Sequence, residues 1–159
     1  MKIHHSDIIQ QYQLGIALGK GHYSNVHSVR NKPLQVIKIN NLFDPTYYYL
    51  KWSMEEPKPW KPKVYSLFKT TDETGNKKYV CIMRKYQKSD IIPFDQYYDE
   101  KEKYEPYVEE FLWKNKKKWD NKHDWNVQTD IHRNNVMVHC TAKKEQLIIT
   151  DPFYSTTDM

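Results

Sequence analysis

Pro57, Pro59 and Pro62 stand close together about a third of the way along the chain, and no helix or sheet ladder can run through them. Proline has no backbone N–H and a fixed φ, so such a cluster stiffens the backbone and ends the element before it. The chain must therefore build one set of elements ahead of the prolines and another behind them. Ahead of them, Leu14 to Leu18 is apolar and runs into Gly19-Lys20-Gly21, and Val26 to Val29 alternates between apolar and polar residues. Leu34 to Ile39 is β-branched and apolar around a single lysine, Lys38. With turn residues between them, these segments predict an antiparallel meander. Asp44-Pro45 has the form of an N-cap with proline at the first helical position, which predicts a helix over Thr46 to about Met54.

Behind the prolines, Val64 to Phe68 and Tyr79 to Met83 read as a strand pair joined by Thr71-Asp72-Glu73-Thr74-Gly75-Asn76. A second helix is predicted from about Glu105 to Trp119, with Pro106 in its first turn and Tyr107, Val108, Phe111 and Leu112 on one side. Val136 to Val138 and Leu147 to Ile149 read as a closing hairpin. The order strands, helix, strands, helix, hairpin is that of an α+β protein.

Composition excludes several classes. The 159 residues are one domain's worth, and 13 Tyr with 5 Trp supply buried area that disordered chains lack. No apolar run approaches the roughly 18 residues of a membrane span, and Met1 to Asp7 is polar, unlike a secretory signal. Cys81 and Cys140 form no CxxC, so neither a zinc knuckle nor a disulfide framework is indicated, and a reducing cytosol is expected. The net charge, 25 minus 20 or +5, permits nucleic-acid contact without requiring it.

Chemistry concentrates in separated segments whose order matters. Leu18-Gly19-Lys20-Gly21-His22-Tyr23-Ser24-Asn25-Val26 has glycines two apart, a small residue three further on and a valine two beyond that. Such a loop lets backbone N–H groups approach phosphate oxygens, although two glycines in a hairpin can also be only a turn. Next comes Val36-Ile37-Lys38-Ile39, a lysine among apolar residues on a strand, which must either find an anion or snorkel to water. Last is Thr129-Asp130-Ile131-His132-Arg133-Asn134-Asn135-Val136-Met137-Val138, followed by Ile148-Ile149-Thr150-Asp151-Pro152-Phe153. Phosphoryl transfer needs an acid that orients the nucleophile's proton and oxygen ligands that hold Mg²⁺ on the phosphates. Asp130 and Asn135 are five apart, and Asp151 ends an apolar hairpin.

These segments together resemble the protein-kinase-like superfamily. The spelling Asp130-Ile-His-Arg-Asn-Asn135 is nearer to the aminoglycoside- and choline-phosphotransferase branch than to His-Arg-Asp kinases. The chain most resembles the early serine/threonine protein kinases of short-tailed lytic bacteriophages, over roughly Leu14 to Ser155, with Asn40 to Gln128 matching only in pattern. The resemblance implies a reduced kinase-like fold: residues 1–86 as a nucleotide-binding part with a small sheet and one helix, and 87–159 as a truncated helical part carrying the catalytic hairpin, the two forming one compact unit. It implies ATP and Mg²⁺ as ligands and host bacterial proteins as substrates or targets, in the host cytoplasm, with no role for membrane or nucleic acid; oligomeric state stays open. By the same resemblance Gly19, Lys20, Gly21, Ser24 and Val26 cover the nucleotide, Lys38 meets the α- and β-phosphates, and Met83 to Tyr86, with Lys85, form the hinge against adenine. Asp130 is the catalytic base or orienter, Asn135 and Asp151 hold Mg²⁺, and His132 supports the loop. Lys38, Asp130, Asn135 and Asp151 are thus expected to converge on one Mg²⁺-bound triphosphate.

The chain also departs from the family pattern. No clear helix glutamate follows Lys38; Glu55 and Glu56 at the helix end are the candidates. Pro152-Phe153 replaces the usual Phe-Gly, so a mobile activation switch is not expected, and no eukaryotic-type activation segment follows Asp151. These departures leave two further functions open: a kinase-like scaffold that inhibits a host protein by binding it, and a small-molecule phosphotransferase. Lys114-Asn115-Lys116-Lys117-Lys118 suits a helix C-terminus, Tyr47-Tyr48-Tyr49 suits helix packing, and Ser155 to Thr157 are candidate self-phosphorylation sites.

Overall fold

A computed structural model describes residues 14–20, 24–29 and 31–156, with side chains for 26–29 and 31–156. The expected loop glycine Gly21, with His22, Tyr23 and Thr157, lies outside the described residues. The described chain forms two compact units, one holding residues up to Glu56 with Lys63–Lys85, the other Pro57–Pro62 with the residues from Tyr86 on.

The first unit is an antiparallel sheet of β1 (Leu14–Lys20), β2 (Ser24–Val29), β3 (Lys32–Asn41), β4 (Val64–Thr71) and β5 (Lys77–Arg84), in the order β1-β2-β3-β5-β4. The meander and the strand pair expected from the sequence both form, and they join because β5 pairs with β3 along Gln35 to Asn41. Strand β3 is central, and its residues Val36 to Asn40 are buried on both faces. On one face Ile37 and Ile39 pack with Val29, Val80, Ile82 and Phe68, the apolar core of this unit. The β4–β5 turn closes on Asp72, whose Oδ1 accepts from the N–H groups of Thr74 and Asn76 at 3.0 and 2.8 Å, while Gly75 takes a φ of 85°.

Helix α1 (Thr46–Glu55) starts where the sequence predicts. Asp44 Oδ1 accepts from the Thr46 N–H at 2.8 Å while Oδ2 accepts from Asn40 Nδ2 at 2.8 Å, so one carboxylate both caps the helix and ties it to β3. The helix buries Thr46, Tyr49, Leu50 and Ser53 and ends ahead of Pro57.

The second unit is organised by helix α2 (Phe94–His123), 30 residues long and much longer than the expected Glu105–Trp119. Pro106 is therefore not a first-turn residue but lies inside the helix, on its exposed side. Its missing N–H leaves the Glu102 carbonyl to water, which an exposed face tolerates. The true start follows Pro93, and residues 95–104 are charged residues, tyrosines and one glutamine, with no aliphatic residue to show an apolar stripe. Of the four residues expected on one side, Val108 and Leu112 are buried and Phe111 is half-buried between Trp119 and Phe153. Tyr107 is instead 58% exposed, its ring stacked 6.1 Å from Trp60.

Beyond α2 lie β7 (Val127–Thr129), β8 (Val136–Cys140), β9 (Glu145–Ile149) and β10 (Phe153–Ser155). A short β6 (Gln87–Lys88) pairs with β8 to make the sheet β6-β8-β9, and β7 pairs with β10. The β8–β9 hairpin is the one expected from the sequence. Among the described residues no helix is long and apolar enough to cross a membrane.

Candidate active site

Lys38 sits in the middle of the central strand of the first unit. In the sheet register Gly19 lies opposite Val26, Val26 opposite Lys38, Lys38 opposite Cys81 and Cys81 opposite Leu67. One cross-strand row thus joins Gly19, Val26 and Lys38. In the adjacent rows Met83 lies opposite Val36, and Ser24 opposite Asn40, so Val26, Lys38 and Met83 share one sheet face. Lys20 is one register position from Gly19, opposite Asn25. Met83 is buried within β5, whereas Lys85 is exposed, its N–H donating to the Leu34 carbonyl at 2.8 Å.

Lys38 is 9% exposed, and among the described residues no carboxylate lies within ion-pair distance of it. The buried side of α1 offers only Thr46, Tyr49, Leu50 and Ser53, and Glu55 and Glu56 are exposed, Glu56 accepting from Trp52 Nε1 at 2.8 Å. The helix glutamate expected near Lys38 is therefore not supplied by either. The neighbour that sequence reading missed is Cys81: burial pushes its thiol up to about 12, and the Lys38 charge pulls the other way.

The second unit gathers Asp130, Asn135 and Asp151. Antiparallel pairing of β7 with β10 sets Thr129 opposite Phe153, and the Asp130 N–H donates to the Pro152 carbonyl at 2.7 Å. Within the loop, Asn135 Nδ2 donates to the Asp130 carbonyl at 2.6 Å, and Asn135 Oδ1 accepts from the His132 N–H at 3.2 Å. The Asn135 carbonyl in turn accepts from the Asp151 N–H at 3.3 Å and from Thr150 Oγ1 at 3.1 Å. Asp130 and Asn135, and the more distant Asp151, are thereby held in one hydrogen-bonded loop pair.

His132 Nδ1 accepts from the Asn134 N–H at 3.1 Å, which leaves the ring proton on Nε2, 3.5 Å from Asp130 Oδ1. The imidazole caps the short 3₁₀ turn Arg133–Asn135 and lies beside the Asp130 carboxylate. That carboxylate is 44% exposed, open to accept a hydrogen bond from an incoming hydroxyl.

Sequence reading missed the loop's outer anchor. Arg133 Nη2 donates to the carbonyls of Ser89 and Ile92, and Ser89 Oγ donates back to the Arg133 carbonyl. The guanidinium lies 5.6 Å from the Tyr97 ring centroid and 6.0 Å from that of Phe94. A second clamp feeds the chain into β7: Lys116 Nζ meets Asp120 Oδ2 at 2.7 Å and the Val127 carbonyl at 2.8 Å, while Asp120 Oδ1 accepts from the Val127 N–H at 3.0 Å. An arginine between His132 and Asn134 carries no spacing signal of its own, and both anchors depend on the loop's fold.

The donor set suits magnesium, a hard cation that takes oxygen ligands and keeps several waters. Asn135 Oδ1 uses one lone pair on His132 and retains another, and Asp151 is a half-buried residue whose own N–H makes the loop contact with Asn135. No protein-family model matches the chain, and no curated protein matches it. The described residues form an α+β structure of small antiparallel sheets and two α-helices.

Proposed function

We propose that this chain is a reduced protein-kinase-like phosphotransferase that moves the γ-phosphoryl group of ATP to serine or threonine hydroxyls of host bacterial proteins, in the host cytoplasm early in a bacteriophage infection. The observation that carries this reading is Asn135, whose side chain fixes the Asp130 backbone while its backbone carbonyl accepts from the Asp151 N–H. That one link gives the loop an acid to receive a proton and two oxygen-bearing side chains beside it.

In this reading Asp130 accepts the proton of the attacking hydroxyl as its oxygen bonds to the γ-phosphorus. The bond from phosphorus to the β–γ bridging oxygen breaks, and ADP leaves with that electron pair. His132, with Nε2 3.5 Å from Asp130 Oδ1, supports the loop that carries this carboxylate. Lys38 contributes positive charge to the α- and β-phosphates. Asn135 and Asp151 would hold Mg²⁺, which neutralises charge on the β- and γ-phosphate oxygens. Positioning and charge neutralisation carry most of the rate in such a transfer.

A second reading is a kinase-like scaffold that binds a host protein without catalysis, and it is favoured by the buried side of α1, which brings no carboxylate toward Lys38. One experiment separates the two. Purified chain is incubated with radiolabelled ATP, Mg²⁺ and bacterial lysate, beside Asp130→Ala and Asp151→Ala variants whose circular dichroism matches wild type. Transfer that falls by about a hundredfold or more in each variant is expected. No transfer by wild type, or equal transfer by both variants, refutes the enzyme.

A further inference from the structure

The outward face of α2 has no part in that chemistry. Trp113, in the middle of this face, is 81% exposed, more than any other large apolar side chain described. Nothing among the described residues stacks on its ring. One helical turn to its N-terminal side is Glu109, and one turn to its C-terminal side is Lys117, both exposed. Residues at this spacing form one stripe on a helix.

Neither Glu109 nor Lys117 has an opposite charge within ion-pair distance among the described residues. Glu109 has Glu105 one turn below it; burial, then the Glu105 charge and a side-chain hydrogen bond with Glu105, push the Glu109 carboxyl above its ordinary value, and the Lys101 charge opposes this. The nearest helical cation to that pair, Lys101, is taken by Glu105 at 3.5 Å. Lys117 has Trp113 and Lys114 on the turn before it. On the turn after it, Asp120 is held by Lys116 at 2.7 Å. The stripe therefore reads acid, indole, base, with the charges left over on either side of an exposed aromatic.

A stripe of this kind is complementary to itself when reversed. We propose that two copies of the chain meet here, α2 packing antiparallel on α2 about a two-fold axis through Trp113, with Glu109 of each copy opposite Lys117 of the other. The axis sets indole on indole, the residue type most often found at the energetic centre of interfaces. It also makes the same ion pair twice, as an isologous contact requires. A parallel pairing would set glutamate on glutamate and lysine on lysine, so the charges select the antiparallel arrangement. The contact is a single helix pair, smaller than the roughly 1,200 Å² of a stable interface, and the chain's net charge of +5 opposes it. Association is accordingly weak, with a dissociation constant of about 10–100 μM.

Sedimentation equilibrium of the full chain, from about 5 to 500 μM at low salt, tests this. A monomer–dimer equilibrium is expected, weakened severalfold by about 0.5 M salt and at least about tenfold by Trp113→Ala. Lys117→Glu alone weakens it because each glutamate then faces a glutamate. Glu109→Lys combined with Lys117→Glu restores it to within about threefold of wild type, since the pair is only exchanged. All three positions are exposed, and far-UV circular dichroism verifies that the variants remain folded. A chain that stays monomeric throughout overturns the proposal and leaves the face to a partner of another kind. So does a dimer indifferent to Trp113→Ala, or a double variant no better than Lys117→Glu.

Discussion

Asn135 Nδ2 lies 2.6 Å from the carbonyl oxygen of Asp130, and the same side chain's Oδ1 accepts from the His132 N–H at 3.2 Å. The two ends of one amide therefore set the loop's shape, and each end needs its own chemistry. Asn135→Ala removes both bonds and is expected to lower stability by about 1–2 kcal/mol. Asn135→Asp keeps the acceptor for His132 but faces a carboxylate oxygen toward the Asp130 carbonyl, so it costs at least as much and does not rescue phosphoryl transfer. Thermal unfolding alongside the transfer assay decides this; an Asn135→Asp protein as stable and active as wild type would contradict the geometry.

Arg133 makes a different prediction, because it touches none of the groups proposed to react. Its guanidinium donates to the Ser89 and Ile92 carbonyls and lies over Tyr97 and Phe94. A lysine ammonium cannot reproduce the fork or the flat stacking, so Arg133→Lys is expected to be nearly as damaging as Arg133→Ala, at about 2 kcal/mol each. Chemical denaturation of the two variants measures it, and full stability in Arg133→Lys would mean that charge alone holds the loop.

Lys38 separates stability from activity. An ammonium at 9% exposure with no carboxylate near it among the described residues is held at a desolvation cost. Lys38→Met fills the same space between Val26 and Cys81 without that cost, so the unfolding midpoint should stay or rise. Phosphoryl transfer, which needs the charge at the phosphates, should disappear. A variant that loses stability would show that the lysine is structurally paired, and one that keeps transfer would remove Lys38 from the mechanism.

Strands β1 to β5, β8 and β9 were legible because apolar, often β-branched runs bounded by turn residues leave few alternatives, whereas β6, β7 and β10, two or three residues long, were not. Asp44-Pro45 announced α1 for a physical reason that the Asp44 hydrogen bonds bear out. The first half of α2 was not legible. Residues 95–104 bury little beyond Tyr97, so no apolar period marks them, and Pro106 imitates a helix start while sitting mid-helix. The loop motif identified Asp130, Asn135 and Asp151 as a set, and backbone pairing of β7 with β10 gathers them. Arg133, Ser89 and the Lys116–Asp120 clamp were beyond sequence reading because each acts on a carbonyl whose position only the fold decides.

The cysteines give a prediction whose sign follows from proton counting. Cys81 is fully buried and its thiol is pushed up to about 12 from an ordinary 9.0, burial being the larger cause and Lys38 opposing it. Above about pH 9 the unfolded chain has lost this proton while the folded chain keeps it. The unfolded state then binds fewer protons, and stability falls with rising pH at about 1.4 kcal/mol per unit from this group until the folded thiol also ionises near pH 12. The half-buried Tyr47 and the buried Tyr97 shift the same way, so the test must be a difference between proteins. Comparing wild type with Cys81→Ala by urea unfolding at about pH 8 and pH 10.5, wild type should lose about 2 kcal/mol more than the variant between the two conditions. The same burial leaves Cys81 inert to iodoacetamide at neutral pH while the exposed Cys140 is alkylated, which mass spectrometry reads as one adduct per folded chain. Two adducts without denaturant, or equal alkaline slopes in the two proteins, would mean that the thiol beside Lys38 is open to water.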